Sequence, residues 1–325
     1  MSRIPPYPFA RPIDREFSET PSVFREDVIR GLHSQVKTIP CKYFYDERGA
    51  ALFEAICKTP EYYPTRTEIA LLERHGAEIA TLIGREAQMV EYGAGAGIKT
   101  RILLEAAPVK SYVALDISPE FLDPTALALA EAFPHIDISA LCVDFTKPFT
   151  LPALAAGSRR VGFFPGSTIG NFTRDEATAF LRNAARTLGR DGALIVGVDL
   201  KKDRRILNAA YNDTAGLTAA FNLNLLTRIN RELKGTFDLK SFVHSAFYDP
   251  KMGRLEMYLY SLGFQTVRVD GQMFTFSAGE AIHTENCQKY DVEEFQILAS
   301  SSGFMPVQAW VDDQRLFSIH YLAVN

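Results

Sequence analysis

Apolar residues in this chain recur in two rhythms that alternate. Ser22 to Ser34 sets Phe24, Val28 and Leu32 on one side at helical spacing. A second helical pattern runs from about Thr67 to Ile83 through Ile69, Leu72, Ile79 and Leu82, and leads into a buried strand at Met89. Helical spacing resumes at Ile98, Ile102 and Ala106, with Leu103 beside them. Val113, Leu115 and Ile117 then alternate with small or polar residues, which predicts a second strand ending at Asp116. A helix near Pro119 to Phe133, a third strand over Ile136 to Val143 and a fourth over Arg159 to Phe164 follow. Thr173 and Glu176 form a capping box for a helix that buries Phe180, Leu181, Ala184 and Leu188 and stops at Gly189. A fifth strand covers Ala193 to Leu200. This alternation predicts an α/β fold with a doubly wound sheet.

The rhythm changes after Lys202. Ala209-Ala210-Tyr211-Asn212-Asp213 leads into a long helical tract expected to reach about Leu233, followed by strands containing Glu256 to Tyr260 and Val267 to Val269. These pieces suggest an inserted α+β lobe. Ala309 to Val311, the turn Asp312-Asp313-Gln314-Arg315, and Leu316 to Val324 form a terminal hairpin able to add an antiparallel pair to the first sheet. Residues 1 to about 20 are proline-rich and polar, and are expected to form a loose arm. Between Thr59 and Arg66 two prolines flank two tyrosines, which predicts a stiff loop around Tyr62. Its aromatics have a plainer use, as packing between segments.

Composition narrows the function classes. The 325 residues suit one large or two smaller domains. Net charge is −4 with no basic run, which argues against a nucleic-acid partner. No apolar stretch reaches the length of a membrane span, and the opening residues carry no signal-peptide core. Four scattered cysteines, Cys41, Cys57, Cys142 and Cys287, point to reduced thiols in the cytoplasm, and with the dispersed histidines they predict no metal centre.

The candidate chemistry starts at Gly93-Ala94-Gly95-Ala96-Gly97, after the first strand. Glycines there let backbone approach a flat or phosphate-like ligand, and a nucleotide-type cofactor is the simplest use of such a turn. Asp116, about 20 residues on, suits ribose hydroxyls, with a helix cap as the alternative. Asp144-Phe145, after the third strand, suits an adenine stacked on the ring, although Asp144 serves equally as a turn residue. After the fourth strand the apolar run stops in Gly166-Ser167-Thr168-Ile169-Gly170-Asn171.

The five-strand half with its closing hairpin resembles the class I S-adenosylmethionine-dependent methyltransferases. Tyr43-Phe44-Tyr45-Asp46, Pro60 to Glu68, Gly166 to Asn171, Ala210-Tyr211-Asn212-Asp213, and Gly279-Glu280 through Thr284-Glu285-Asn286 are similar to the histidine-specific methyltransferase family. Its best-known members make hercynine, the trimethylated histidine used for ergothioneine. The resemblance runs from about residue 22 to the end. It implies a cofactor domain over 66–201 and 291–325 with a Rossmann-like sheet, and a substrate lobe over 1–65 and 202–290. It implies that Tyr45, Gly93, Lys99, Asp116, Asp144 and Phe145 line S-adenosylmethionine. It implies that Tyr62, Asn171 and Tyr211 hold the amino acid's α-amino and carboxylate groups, and that Glu285 and Cys287 meet the imidazole. Gly166, Phe53 and Met257 would shape the space near the reacting nitrogen, with Tyr45 and Asn171 serving the reaction itself. Cys287 stands where many members have serine, a stronger hydrogen-bond donor than a thiol.

Methyl transfer needs an uncharged acceptor nitrogen, close approach and alignment, so positioning supplies most of the acceleration. Asn171 suits the amine because its amide oxygen accepts a hydrogen bond from the amine without adding charge. No carboxylate or histidine stands out as a general base, which leaves water as the proton acceptor. The implied partner is L-histidine, and a monomer is the default. Three rivals stay open: the same fold acting on another amine such as a tryptophan derivative, a nicotinamide dehydrogenase from the glycines alone, and a non-catalytic module that senses the cofactor or an amino acid.

Overall fold

The computed structural model describes residues 21–325 apart from Ala96 and Ser118. The arm expected over residues 1–20 lies outside the described residues. In chain order, α1 (Pro21–His33), the short strand β1 (Lys37–Thr38), α2 (Glu47–Ile56) and α3 (Tyr63–Ile83) come first. Then follow β2 (Gln88–Tyr92), α4 (Ile98–Ala106), β3 (Ser111–Asp116), α5 (Pro119–Ala132), β4 (Asp137–Cys142), β5 (Arg160–Phe164), α6 (Arg174–Leu188) and β6 (Ala193–Asp199). The next segment holds α7 (Arg204–Tyr211), α8 (Leu217–Glu232), β7 (Phe242–Asp249), β8 (Arg254–Ser261), β9 (Gln265–Val269), β10 (Gln272–Phe276) and β11 (Ala281–Gln288). The chain closes with α9 (Val292–Ser300), β12 (Phe304–Val311) and β13 (Phe317–Val324).

Seven strands form one sheet in the order β12-β13-β6-β5-β2-β3-β4. The five central strands pair in parallel, and β13 runs antiparallel to both β6 and β12. The terminal hairpin therefore returns to the sheet as its sequence suggests. From β2 the chain winds outward through β3 and β4, then restarts on the other side with β5 and β6. The order reverses between β2 and β5, the place where open α/β sheets bind ligands beyond their carboxyl ends.

Strand alternation divides the core between the two faces of this sheet. Met89, Tyr112, Ala114 and Phe163 face α3, α4 and α5. Their neighbours Val90, Tyr92, Val113, Leu115 and Phe164 face α6 and α9. Each fully buried side chain of this size contributes roughly 1.5–3 kcal/mol. The predicted capping box of α6 is present, with Gly189 as its C-cap at φ 75°.

A separate apolar core gathers Phe24, Val28, Leu32, Tyr43, Phe44, Tyr62, Leu225, Met257 and Ile282. Around it lie the sheet β1-β11-β8-β7 and the hairpin β9–β10. The helical tract expected after Asp213 is α8, and the shorter α7 precedes it. The Asp213 carboxylate accepts from the backbone N–H groups of Leu217 at 2.8 Å and Thr218 at 2.7 Å. Gly216 is left-handed at φ 71°. Asp213 thus caps a new helix and stops the old one at Tyr211. Helix α3 begins at Tyr63, four residues before the periodicity suggests, because Pro64 suits a first turn. No helix among the described residues is long and apolar enough to cross a membrane.

Candidate active site

The strand ends assemble one rim. Gly93 follows β2, Asp116 ends β3, Asp144 follows β4, Gly166 follows β5 and Asp199 ends β6. The glycine turn docks on β3, with Gly93 N and Ala94 N donating to the Leu115 carbonyl at 2.8 and 3.1 Å. Gly97 is the N-cap of α4 at φ 70°, and a Cβ there would lie 2.9 Å from Thr125 Cγ2. Position 97 therefore needs glycine for both torsion and space. Gly95 faces open space, and its N–H donates to Asp116 Oδ2 at 3.3 Å. A bare backbone turn beside an acidic strand end fits a nucleoside. Asp144 accepts from Thr146 N at 3.1 Å and from its hydroxyl, so the turn reading describes what its carboxylate does here. Phe145 packs against Tyr92, Phe164 and Phe180 with centroids 5.8–6.0 Å apart.

Lys99 is committed to a residue that pattern reading passes over. Its ammonium lies 2.5 Å from Glu68 Oε2, and Glu68 has no exposed surface. Glu68 also accepts from Gly166 N at 2.9 Å, so it ties α3, α4 and the loop after β5 together. The signal was a charge on an apolar stripe: Pro64, Leu71, Leu72 and Ile79 are buried on the same helix face as Glu68. Gly197 makes room for it, since a Cβ there would lie 2.1 Å from Glu68 Oε1.

The second lobe supplies a chain of aromatic rings. Tyr45 meets Phe53 edge-on at 5.6 Å, Phe53 meets Tyr62 at 5.9 Å, and Tyr62 meets Tyr211 at 6.1 Å. Phe221 from α8 stands 5.7 Å from Tyr45 and is the ring that sequence reasoning did not single out. Burial pushes the phenols of Tyr45, Tyr62 and Tyr211 well above their ordinary range, so they stay uncharged. Backbone anchors hold the rings in place. The Arg66 guanidinium donates to the carbonyls of Pro60 at 2.7 Å and Tyr62 at 2.9 Å. Asp46, next to Tyr45, accepts from Gly49 N, Asn224 Nδ2 and Arg231 Nη2 at 2.6–2.8 Å.

Strand β11 brings in Glu285 and Cys287. Ile282 pairs with Leu259, Glu285 with Met257 and Cys287 with Leu255, and the register shifts between His283 and Glu285. That bulge absorbs one residue, so Ile282, Glu285 and Cys287 point to one face despite odd spacing. Glu285 keeps some accessible surface, and its carboxylate makes no hydrogen bond to a described residue. Burial raises its carboxyl to about 7 although Lys289 pulls the other way. Met257 is buried on the same face.

Asn171 ends the 3-10 turn Thr168–Asn171 and is partly exposed. Gly170 sets its distance from β11: a Cβ on Gly170 would lie 2.7 Å from Gln288 O and 3.5 Å from Cys287 Sγ. Gly170→Ala is expected to push this turn off β11 at a cost of about 1–3 kcal/mol. Amino-acid affinity should fall with it while cofactor affinity holds. Denaturant melts and calorimetry with each ligand check this; equal losses of both affinities would contradict it.

A buried charged cluster joins the lobes behind these groups. Asp199 accepts from Tyr63 Oη at 2.7 Å, from Lys289 Nζ at 2.5 Å and from Lys202. Burial opposes its charge, but the two lysines outweigh burial and hold its carboxyl below 3.8. Burial lowers Lys202 to about 8 against the pull of Asp199.

Comparison with known proteins decides the family. The profile of the histidine-specific, S-adenosylmethionine-dependent methyltransferases matches residues 24–324. The chain belongs to this family. It is 37% identical over 305 residues to a histidine N-alpha-methyltransferase of Mycobacterium tuberculosis, covering 92% of this chain and 94% of the relative. It is 31% identical over 296 residues to ergothioneine biosynthesis protein 1 of Neurospora crassa, spanning 88% of this chain but 33% of that longer protein. A crystal structure of an S-adenosylmethionine-dependent methyltransferase from Clostridium acetobutylicum shares the fold, with a TM-score of 0.50 at 11% identity over 84% of this chain and 98% of that one. The chain is thus an enzyme with a class I methyltransferase fold that uses S-adenosylmethionine, which displaces the nicotinamide and non-catalytic readings.

Proposed function

We propose that this methyltransferase trimethylates the α-amino nitrogen of L-histidine to hercynine, a step toward ergothioneine. The observation that carries the histidine assignment is Glu285, a carboxylate left without a hydrogen-bond partner among the described residues and set beside a thiol at the end of a chain of aromatic rings. An apolar side chain would leave that carboxylate unsatisfied, whereas an imidazole N–H meets it.

The cofactor domain in this reading is 66–201 with 291–325, and the lobe of 1–65 with 202–290 takes the substrate. Gly93, Asp116, Asp144 and Phe145 would hold the nucleoside, with Lys99 setting the loop beside it through Glu68. When bound, S-adenosylmethionine supplies a methyl group on a positively charged sulfur. Asn171 and Tyr62 hold the α-amino nitrogen with uncharged groups, so its neutral, lone-pair-bearing form is not opposed by a nearby anion. Tyr45 orients that nitrogen, and Gly166 leaves it space. As methyl groups accumulate the nitrogen becomes a permanent cation, which the faces of Tyr45, Phe53 and Tyr62 accommodate. Tyr211 borders the zwitterion with its ring, which meets Tyr62; Met257 closes the floor, and Glu285 with Cys287 engages the imidazole. Water carries away the released protons.

Incubation with S-adenosylmethionine and each common amino acid, read by mass spectrometry, tests the assignment. Histidine should gain three methyl groups; faster turnover of tryptophan would overturn it. Cys287→Ser should lower the KM for histidine about 3- to 10-fold, because a hydroxyl is the better donor to a neutral imidazole nitrogen. Steady-state kinetics of both forms would show this.

A further inference from the structure

Lys289 lies just beyond β11 and has no exposed surface. Its ammonium carries three protons, and three acceptors surround it: Asp199 Oδ2 at 2.5 Å, Cys287 Sγ at 2.9 Å and Tyr211 Oη at 3.1 Å. It also stands 5.0 Å above the Tyr211 ring. Every proton of the ammonium is thereby assigned. The consequence passes outward. Tyr211 Oη accepts from Lys289, so its own proton goes to Cys287 Sγ, 3.0 Å away. The sulfur now accepts from two donors on one side. Its own S–H is left to point to the other side, where Glu285 shares its face of the strand. Burial holds the Cys287 thiol above its ordinary range, and Asp199 outweighs burial to keep Lys289 charged, so both protons stay in place.

We propose that Lys289 is a positioning residue that fixes the polarity of the side-chain end of the substrate site. Acting through Tyr211 and Cys287, it makes the thiol a donor opposite the acceptor Glu285. One donor and one acceptor side by side match a neutral imidazole, which offers one bare nitrogen and one N–H. They mismatch an imidazolium, which has two N–H groups, and a phenyl ring, which has neither. The inference rests on the histidine reading given above and adds the group that sets its selectivity.

Lys289→Met keeps an unbranched side chain one atom shorter and removes all three protons. In the full-length protein it should raise the KM for histidine about 10- to 100-fold while kcat changes less than about 3-fold. The preference for histidine over phenylalanine should shrink by a similar factor, and affinity for S-adenosylhomocysteine should hold. A purely structural role would weaken both ligands and leave the preference unchanged, and that result overturns the proposal. A second measurement uses the unaltered protein. Its S–H stretching band, assigned by subtracting the Cys287→Ser spectrum, should shift to lower frequency when histidine binds. A band that stays in place overturns the proposal even if the methionine variant fails to fold. Absence of histidine turnover in the unaltered enzyme would instead sink the substrate assignment itself.

Discussion

Asp199→Ala is expected to cost about 3–5 kcal/mol of folding stability, because it strips the counter-charge from buried lysines. Lys289 has no exposed surface and Lys202 only a trace at its side chain, so neither can turn to water without moving β6 or β11. Tyr63 would lose its acceptor as well. Asp199→Asn should fall between the parent and the alanine variant, since it keeps one acceptor oxygen and the packing. The folded carboxyl titrates below 3.8, so its contribution is complete above that value and vanishes as pH falls through the folded pKa. Urea melts at pH 7 measure the loss; a change below about 1 kcal/mol would mean that the lysines are solvated or deprotonated at little cost.

Glu285→Gln should separate stability from function in opposite directions. Burial lifts this carboxyl from 4.5 to about 7 in the free enzyme. An acid with a raised folded pKa is neutral in both states below 4.5 and costs nothing there. Stability falls as pH rises from 4.5 to about 7, where the unfolded chain ionises and the folded one resists, and the cost is constant above. Glutamine removes that cost. Above pH 7 the variant should be more stable than the parent by something on the order of 1–3 kcal/mol, and the two should converge in acid. Histidine binding should weaken about 10- to 100-fold, because a neutral amide replaces a charged acceptor. Paired melts across pH, with titrations of histidine, show both. A variant less stable than its parent at pH 8 would mean that Glu285 has a stabilising partner instead of waiting for a ligand.

The cofactor half was legible because its strands are apolar runs separated by amphipathic helices. Met89 beside Val90, Tyr112 beside Val113, and Phe163 beside Phe164 announce a sheet buried on both faces. The hairpin closing on β6 was legible for the same reason. Helix α9 was passed over although Asp291 and Glu294 form a capping box visible as spacing alone. The split between α7 and α8 was also written locally, in Asp213 and Gly216. Other features depend on tertiary contact. Nothing in Thr284-Glu285-Asn286 reveals the bulge that turns Glu285 and Cys287 onto the face of Ile282. Nothing around Lys289 or Lys202 reveals that both meet Asp199, some 90 residues from the first. Glu68 lay between these cases, a charge on a buried stripe whose partners Lys99 and Gly166 come from other elements.

The central claim is that two lobes hold histidine with its α-nitrogen toward the methyl donor and its imidazole toward Glu285. A crystal structure of the enzyme with histidine and S-adenosylhomocysteine tests it most directly. The account predicts the α-nitrogen between Tyr62 and Asn171 and facing the cofactor sulfur, with one imidazole N–H on Glu285 and the other ring nitrogen on Cys287. An imidazole nitrogen facing the sulfur, with the α-amino group at Glu285, would contradict it.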